Sequence, residues 1–373
     1  MSDIGSRLQV ARPVSPLSVD RYSDPHWLER ERQQLFARGP QYVGHELAVP
    51  EVGDYSTLAH EDHGRALVRN ADGIELVSNV CRHRQAIMLE GRGNAGRHVV
   101  CPLHRWTYDL KGELVGAPHF AQSPCLDLDR FAVRNWQGLL FEDKAQPALA
   151  EKLAELRGSK YARYFDFSGY LLDHVETHVC NYNWKTFIEV YLEDYHVGPF
   201  HPGLSRFVDC SNLEWEFGKR FSVQTVGLHE SLRKPGSAVY AEWHDQCRRW
   251  FDQGRSLPDV GAVWLTIYPN IMVEWYPGVL CVSTLHPLSV DRTLNVVEFY
   301  YPEEAVLFER GFIEAERAAY LETAREDDEI GERMDRGRRA LLARGVSESG
   351  PYQSPFEDGM QHFHEYLQHE LKA

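Results

Sequence analysis

The chain carries CRH at residues 81–83 and CPLH at residues 101–104, with 17 residues between the two stretches. Each stretch supplies one cysteine and one histidine, in the patterns Cys-x-His and Cys-x-x-His. Thiolates and imidazoles are ligands that bind zinc, copper and iron. Strand-like residues lead into both stretches, at 77–80 and at 98–100. The pattern therefore predicts a metal centre at the tips of two loops, and the first domain is organised around it.

A zinc ion or a disulfide is the simplest alternative for these four residues. Zinc ribbons and fingers usually pair like ligands, as Cys-x-x-Cys or His-x-x-x-His, and the two stretches do neither. A disulfide between Cys81 and Cys101 is the other structural alternative. A Rieske [2Fe–2S] centre requires the observed split, because two cysteines hold one iron and two histidines hold the other. The residues therefore favour an iron–sulfur cluster.

The pattern Cys-x-His followed by Cys-Pro-x-His-x-Trp, ending at Trp106, resembles the Rieske domain of the ring-hydroxylating oxygenase α subunits. Replacing two thiolates by neutral imidazoles makes such a cluster less negative and raises its reduction potential. The resemblance implies a [2Fe–2S] cluster with four ligands: Cys81, His83, Cys101 and His104.

Length and composition indicate a globular protein of two domains. A chain of 373 residues exceeds what one compact core usually holds, and 43% apolar and 25% charged residues are ordinary values. No secretory signal is expected at the start, and no apolar run approaches the length of a membrane span. The five cysteines outside the pattern are expected to be reduced thiols of a cytoplasmic protein. The net charge of −15 argues against nucleic acid as a partner.

Three segments are predicted along the chain. Residues 1–40 form an N-terminal arm that packs on the catalytic domain, with a helix over residues 27–38. Residues 41–150 form a small antiparallel β domain with the ligand pairs at its loop tips. Residues 151–373 form the catalytic domain, and a helix over residues 146–160 marks the boundary.

The catalytic segment is predicted to contain four strands joined by short turns, over residues 260–268, 270–276, 279–288 and 293–301. A long charged helical region over residues 303–345 and a final helix over residues 357–372 follow. Aromatic residues of the strands either line a substrate pocket or pack in the core of the sheet: Trp264, Tyr268, Trp275 and Tyr276.

A second candidate site lies in the stretch NWKTFIEVYLEDYHVGPFH at residues 183–201. His196 and His201 are five residues apart, which on one undisturbed helix would put them on different faces. Gly198 and Pro199 are predicted to end the helix and to bring His201 beside His196. Two imidazoles and one carboxylate on one face of an iron form the triad of oxygen-activating non-heme Fe(II) centres. Two nearby histidines alone are more often surface residues, so the prediction depends on the Rieske pattern.

The run from Asn-Trp-Lys to the second histidine resembles the mononuclear-iron motif of the same oxygenases. The resemblance implies that His196 and His201 bind iron. It also implies an acid three residues before the first histidine, which bridges a Rieske histidine of one subunit to the ligand histidine of its neighbour. Most of the family has Asp there, and oxygenases similar to those of carnitine and related quaternary amines have Glu. Glu193 is therefore the predicted bridge and Asp194 the second choice, with a solvated helix face as the structural alternative.

The third iron ligand is predicted in REDDEIGE at residues 325–332, which resembles the family pattern Glu-Asp-x-x-Ile-x-Glu. The resemblance places the ligand at Asp327, and the adjacent Asp328 is the alternative. The family often has Gln three residues after the final Glu, where this chain has Asp335. A run of acids is usually a solvated helix face, so this assignment rests on the two other motifs.

The resemblance covers nearly the whole chain and implies an α+β fold, with a small antiparallel β Rieske domain and a helix-grip (START-like) catalytic domain around a central antiparallel sheet. It implies a head-to-tail homotrimer in which the cluster of one subunit serves the iron of the next. Electrons would come from NAD(P)H through a separate flavin or iron–sulfur reductase, or a ferredoxin, because the chain has no Gly-x-Gly-x-x-Gly after a strand. They would pass from His83 or His104 through Glu193 to His196.

The implied activity is that of a terminal oxygenase, a mono- or dioxygenase that hydroxylates or oxidatively demethylates a small organic substrate with O₂. The first expectation is an aromatic substrate and a role in aromatic hydrocarbon catabolism. The second is a quaternary ammonium compound similar to carnitine or betaine, suggested by Glu193 and by aromatic residues able to make cation–π contacts. The alternative of another class is a Rieske electron-transfer protein without oxygenase activity, which would stop near residue 150.

Overall fold

The computed structural model describes residues 14–144, 154–156, 158–229, 232 and 234–371. The first 13 residues of the predicted arm and most of the helix predicted over residues 146–160 lie outside these ranges, although residues 154–156 are helical. None of the helices in the described ranges has both the length and the apolar character needed to cross a membrane.

The N-terminal segment is held against the second half of the chain. Helix α1 spans Pro25–Glu31, Asp24 caps it by accepting a hydrogen bond from a backbone amide, and residues 32–36 continue it as a π-helical turn. A buried ion pair joins Glu31 Oε1 to Lys185 Nζ at 2.7 Å. Apolar residues of the N-terminal segment and of the second half of the chain pack together in one buried cluster: Leu17, Tyr22, Leu28, Leu35, Trp184, Ile188, Phe363 and Leu367.

Eleven short strands build the domain that carries the Cys/His pattern, and all of their pairings are antiparallel. They form a five-stranded sheet in the order β5-β2-β3-β4-β9 and two three-stranded sheets, β1-β11-β10 and β6-β7-β8. The strands are β1 Tyr42–His45, β2 Asp54–Thr57, β3 Arg65–Arg69, β4 Ile74–Ser78, β5 Arg92–Asn94, β6 His98–Val100, β7 Thr107–Asp109, β8 Leu114–Gly116, β9 Arg130–Phe131, β10 Val133–Trp136 and β11 Leu139–Glu142.

A seven-stranded antiparallel sheet forms the centre of the second domain, in the order β12-β18-β17-β16-β15-β14-β13. Its strands are β12 Tyr170–Cys180, β13 Val208–Phe217, β14 Phe221–Leu228, β15 Val260–Ile267, β16 Ile271–Tyr276, β17 Val279–Ser289 and β18 Arg292–Pro302. The helices are α2 Trp184–Tyr191, α3 Val197–Phe200, α4 Ala238–Asp252, α5 Glu303–Phe308, α6 Arg310–Ala343 and α7 Asp358–Glu370. This arrangement confirms the α+β fold with a helix-gripped antiparallel sheet.

Both faces of the central strands are buried, and successive residues point to opposite faces. Val263 and Val273 join a cluster on the side of β11, whereas Trp264 and Cys281 face α4 and α6. Burial on both faces explains why strands β14 to β17 are rich in apolar residues. A single acidic residue within such a strand is therefore unusual.

Candidate metal centres and substrate cavity

The two Cys/His loops have the same backbone shape. In each loop the cysteine amide donates a hydrogen bond to the carbonyl five residues later, at 2.9 Å for Cys81 and 2.8 Å for Cys101. The residue four positions after each cysteine has a positive φ, 57° at Gln85 and 60° at Arg105. Such angles are uncommon for residues other than glycine, and here they lie in the tight turn that closes each loop, where the amides of Gln85 and Arg105 donate to the carbonyls of Cys81 and Cys101.

The four predicted cluster ligands lie together at the tips of these loops. Both cysteines are buried, and the ring centroids of His83 and His104 are 4.6 Å apart. His83 stacks on Trp106 at 5.0 Å, and its Nδ1 is buried without a hydrogen-bond partner in the part of the chain that the structure describes. A buried ring nitrogen normally has a partner, so a nitrogen without one fits a metal ligand. The donor set fits a [2Fe–2S] cluster with two thiolates and two imidazoles.

His196 and His201 flank the one-turn helix α3, with one at each end. The prediction that Gly198 and Pro199 end the preceding helix is wrong, because α2 ends at Tyr191 and both residues lie inside α3. The helix does not continue past this point, because the Asp194 amide donates its hydrogen bond to the carbonyl of Phe356 and not to a carbonyl of α2. A single helical turn then returns the chain, so the two imidazoles meet.

Asp327 on α6 completes a compact set of three donor atoms. His196 Nε2 and His201 Nε2 are 2.9 Å apart, and Asp327 Oδ1 lies 3.0 Å from His201 Nε2 and 3.4 Å from His196 Nε2. Adjacent ligands on an octahedral ion with bonds of about 2.1 Å are separated by about 3 Å. Burial alone would raise the pKa of Asp327, but hydrogen bonds from the two imidazoles lower it. The three residues therefore fit one mononuclear metal ion.

Both imidazoles are oriented from behind by carboxylates. His196 Nδ1 contacts Glu193, which also accepts a hydrogen bond from the His196 amide at 3.1 Å. His201 Nδ1 lies 2.7 Å from Glu326 Oε2. Because a carboxylate on Nδ1 fixes the tautomer, each Nε2 is left free to bind metal. Sequence inspection missed Glu326, although it directly precedes the predicted ligand.

The two alternative acids have other partners. Asp194 is buried, and its Oδ1 accepts a hydrogen bond from Gln224 at 2.6 Å. Asp328 contacts His178 Nε2 at 2.6 Å and accepts a hydrogen bond from Tyr182 at 2.9 Å. Only Glu193 of the first pair touches the His196 ring, and only Asp327 of the second pair lies within hydrogen-bond distance of His201.

A cavity of about 300 Å³ opens beside the three donor atoms. Of the four strand aromatics considered from the sequence, Trp264 and Tyr276 line it. Trp275 alternates to the other face and packs on Tyr164, and Tyr268 packs against α7. Other aromatic residues lining the cavity are Tyr182, Phe187, Tyr191, Phe207, Tyr240, Trp243 and Tyr320.

Two buried glutamates, Glu274 on β16 and Glu316 on α6, line the same cavity with 3% and 4% of their surfaces exposed. Burial raises the pKa of Glu274 to about 7 and that of Glu316 to about 8. Among the described residues around the cavity, Arg325 is the only Lys or Arg, and it is exposed to solvent. The cavity therefore combines an aromatic lining with uncompensated buried acids.

A small β domain with paired Cys/His loops, beside a helix-gripped sheet that carries two histidines and a carboxylate, is the architecture of a Rieske non-heme iron oxygenase. The family model for the ring hydroxylating alpha subunit (catalytic domain) matches residues 161–373, and the Rieske [2Fe-2S] domain model matches residues 39–134. The chain belongs to the α-subunit family of ring-hydroxylating oxygenases.

Characterised relatives cover almost the full chain. Putrescine 2-hydroxylase of Ralstonia nicotianae is 65% identical over 366 residues, which are 98% of each chain. Putrescine 2-hydroxylase of Bordetella bronchiseptica is 58% identical over an alignment of 381 positions, which covers 98% of this chain and 87% of that protein. Among solved structures, the quaternary ammonium Rieske monooxygenase CntA with a bound inhibitor has a TM-score of 0.75 at 20% identity, covering 97% of this chain and 96% of that chain. This last similarity concerns the fold.

Family membership establishes the class of activity. The protein is a Rieske non-heme iron oxygenase that uses a [2Fe–2S] cluster and a mononuclear iron, with electrons supplied by a reductase or ferredoxin partner. The alternative of a Rieske electron carrier without oxygenase activity is wrong, because the catalytic family model covers residues 161–373.

Proposed function

We propose that this chain is the terminal oxygenase of a system that hydroxylates a short aliphatic diamine of the putrescine type at its second carbon. The observation that carries the proposal is the pair of buried acids in an aromatic cavity beside the His/His/Asp set. A cationic substrate would neutralise the charge of these carboxylates. Among the described residues that line the cavity, no buried Lys or Arg is present to neutralise it. The 65% identity to a putrescine 2-hydroxylase supports the same substrate.

The proposed reaction is R–H + O₂ + 2 e⁻ + 2 H⁺ → R–OH + H₂O. NAD(P)H is oxidised by a partner reductase, which delivers the two electrons singly. When bound, the mononuclear iron supplies oxygen activation and the cluster supplies electron storage. The protein supplies position, because the cavity wall holds the substrate carbon next to the three donor atoms.

We assign the cluster to Cys81, His83, Cys101 and His104, and the mononuclear iron to His196, His201 and Asp327. We assign Glu193 as the electron bridge between subunits of a homotrimer. Its carboxylate contacts His196 Nδ1, and its side chain is 14% exposed, so one edge can meet a neighbouring subunit. Asp194 is buried behind it and is the weaker choice. The cytoplasmic location expected from the sequence remains a prediction.

The aromatic substrate expected from the sequence finds no support in the amine substrates that name the two most similar relatives described above. A quaternary ammonium compound is the second candidate, because Trp264, Tyr276 and other aromatic walls could bind it through cation–π contacts. A quaternary nitrogen has no N–H group, so it cannot donate hydrogen bonds to Glu274 or Glu316. The buried acids therefore favour a primary amine.

Turnover with a surrogate reductase tests the proposal. The purified oxygenase is supplied with NADH, O₂ and one of four compounds: putrescine, choline, carnitine or benzoate. Putrescine is expected to give a product with one added oxygen atom, located at the second carbon by mass spectrometry and NMR, with matching NADH consumption. Oxygenation of benzoate or choline with putrescine inert would contradict the proposal.

A further inference from the structure

One row of paired residues crosses the sheet under the cavity. Gln224, Trp264, Glu274 and Cys281 are neighbours on the adjacent strands β14, β15, β16 and β17. Paired residues on adjacent strands point to the same face, so all four side chains lie on the side of α4 and α6. Glu274 is the only charged residue of this row.

Glu316 meets the row from the helix above. It lies in an otherwise apolar stripe of α6 with Phe312, Ile313 and Ala319, which pack in the same core cluster. Its Oε2 accepts a hydrogen bond from Tyr301 at 2.5 Å. The Glu274 carboxylate is close enough to raise the pKa of Glu316 further, beyond the effect of burial. Two acids from different elements thus line the same cavity.

The partners of these acids are neutral. Glu274 accepts hydrogen bonds from Tyr276 at 2.7 Å and from Tyr320 at 3.4 Å. In the described part of the chain, neither acid forms an ion pair with Lys, Arg or His. The hydroxyl of Tyr191, another cavity residue, is buried and has no hydrogen-bond partner among the described residues. An unpaired hydroxyl in the same cavity as two uncompensated acids indicates a ligand with several N–H donors and a positive charge.

We propose that Glu274 and Glu316 together bind one terminal ammonium group of the diamine, with Tyr191 as a further acceptor. This inference rests on the proposed function and assigns the specificity-determining residues of the same site. A primary ammonium has three N–H donors, which matches one bond to each carboxylate and one to the hydroxyl. The alkyl chain then runs along the aromatic wall of Trp264 and Tyr276 toward the three donor atoms.

Substrate binding to the oxidised holoenzyme tests this assignment without turnover. Putrescine affinity is measured by calorimetry for the wild type, Glu274→Gln, Glu316→Gln and the control Glu314→Gln. Glu314 lies on the same helix, but its side chain is 69% exposed. Loss of one partner of a buried charged hydrogen bond weakens binding by at least about 30-fold, so both cavity variants are expected to lose this much. The control is expected to bind as the wild type does, and all variants to keep cluster absorbance and iron content.

Two results would overturn the assignment, and they are distinguishable. If the wild type binds and hydroxylates putrescine while both cavity variants bind it within about twofold of the wild type, the ammonium site is wrong and the proposed function stands. If the wild type binds no diamine, both the ammonium site and the proposed function are wrong. If a variant cannot be purified with its metals bound, a competition experiment with the wild type tests the ammonium site instead. In that experiment 1-aminobutane is expected to displace putrescine, and 1-butanol is not. Equal competition by the alcohol would contradict an ammonium site.

Discussion

The two Cys/His loops and the substrate cavity place their functional residues in different ways. The four proposed cluster ligands fall within residues 81–104, and the two loops share one backbone shape. The cavity takes its two buried glutamates from β16 and α6, its two proposed ligand histidines from either end of α3 and its proposed carboxylate ligand from another part of α6. A metal site whose ligands are close in sequence can be predicted from their spacing. A substrate site whose residues come from distant elements can be recognised only once the fold is known.

The largest expected effect is at the proposed third iron ligand, which lies far along the chain from the two histidines. Asp327→Ala is expected to lose the mononuclear iron and all detectable turnover, because two imidazoles alone hold a non-heme iron poorly. Cluster absorbance should remain, since the loops lie in the other domain. Metal analysis and visible spectroscopy on the same sample measure both centres.

Asp328→Ala is the matched control, because its carboxylate contacts His178 and Tyr182. It is expected to keep iron and most activity. Full iron in Asp327→Ala together with loss of iron in Asp328→Ala would show that the ligand has been assigned one residue too early.

The next effect concerns Glu193, the proposed electron bridge between the two regions. Glu193→Gln removes the charge that contacts His196 Nδ1 but leaves all proposed metal ligands in place. Steady-state product formation is expected to fall by about 100-fold or more, because a carboxylate behind a ligand histidine typically contributes 10–100-fold and this one is also proposed to carry the electron. In single-turnover mixing, the reduced cluster should persist after substrate and O₂ are added.

Asp194→Asn provides the comparison for that experiment. Asp194 is buried against Gln224 and is expected to affect stability more than electron transfer. A wild-type rate of cluster oxidation in Glu193→Gln, or a block that appears only in Asp194→Asn, would reject Glu193 as the bridge.

The sequence predicted the fold class, and it predicted candidate residues that the structure brings together in the two metal sites. The loop ligands could be predicted because neighbouring residues set the spacing of each pair. The route by which His201 reaches His196 could not, since it depends on a hydrogen bond from Asp194 to Phe356, more than 150 residues away. To predict which aromatic residues of the strands face the cavity, one must also know the register of the sheet. Trp275 and Tyr276 are adjacent in sequence and lie on opposite faces of the sheet.

The cavity acids left a signal that sequence inspection did not use. Glu274 interrupts the apolar strand IMVEWY, and Glu316 interrupts the apolar stripe of α6 formed by Phe312, Ile313 and Ala319. A charged residue inside a pattern that is otherwise buried must be paired or functional. The pattern indicates that such acids matter, and only the fold shows that the two share one wall.

A smaller effect is expected at Glu326, which supports the histidine that follows α3. Glu326→Gln weakens the contact with His201 Nδ1, at 2.7 Å, and is expected to lower iron affinity by about 10- to 100-fold. Iron dissociation constants from chelator competition measure this change. Glu329→Gln is the control, because Glu329 is exposed and pairs only with Arg333 in the described contacts. Equal iron affinity in both variants would reject a supporting role for Glu326.

The smallest expected effect is the pH dependence of diamine binding, which follows from the environment of the cavity acids. Burial raises the pKa of Glu274 to about 7 and that of Glu316 to about 8, and Glu274 itself raises the latter. The folded protein without substrate therefore binds more protons than the unfolded chain, and these two groups make it less stable as pH rises from about 4.5 to 8. The neighbouring hydroxyls of Tyr276, Tyr301 and Tyr320 have pKa values raised well above 10, so they do not titrate in this range.

An ammonium group requires the ionised form of these acids, and it keeps its own proton up to a pH near 10. Putrescine affinity is therefore expected to rise by about tenfold between pH 7 and pH 8, because across that interval the ionised fraction rises about fivefold for a group with a pKa near 8 and about twofold for one with a pKa near 7. Binding at pH 7 should release protons, which calorimetry in buffers of different ionisation enthalpy counts directly. In Glu316→Gln both the slope and the proton release should decrease, since one of the two titrating acids is gone. Affinity that stays constant between pH 6.5 and 8.5, with no proton released, would show that diamine binding does not change the ionisation of these two acids, and it would contradict this prediction.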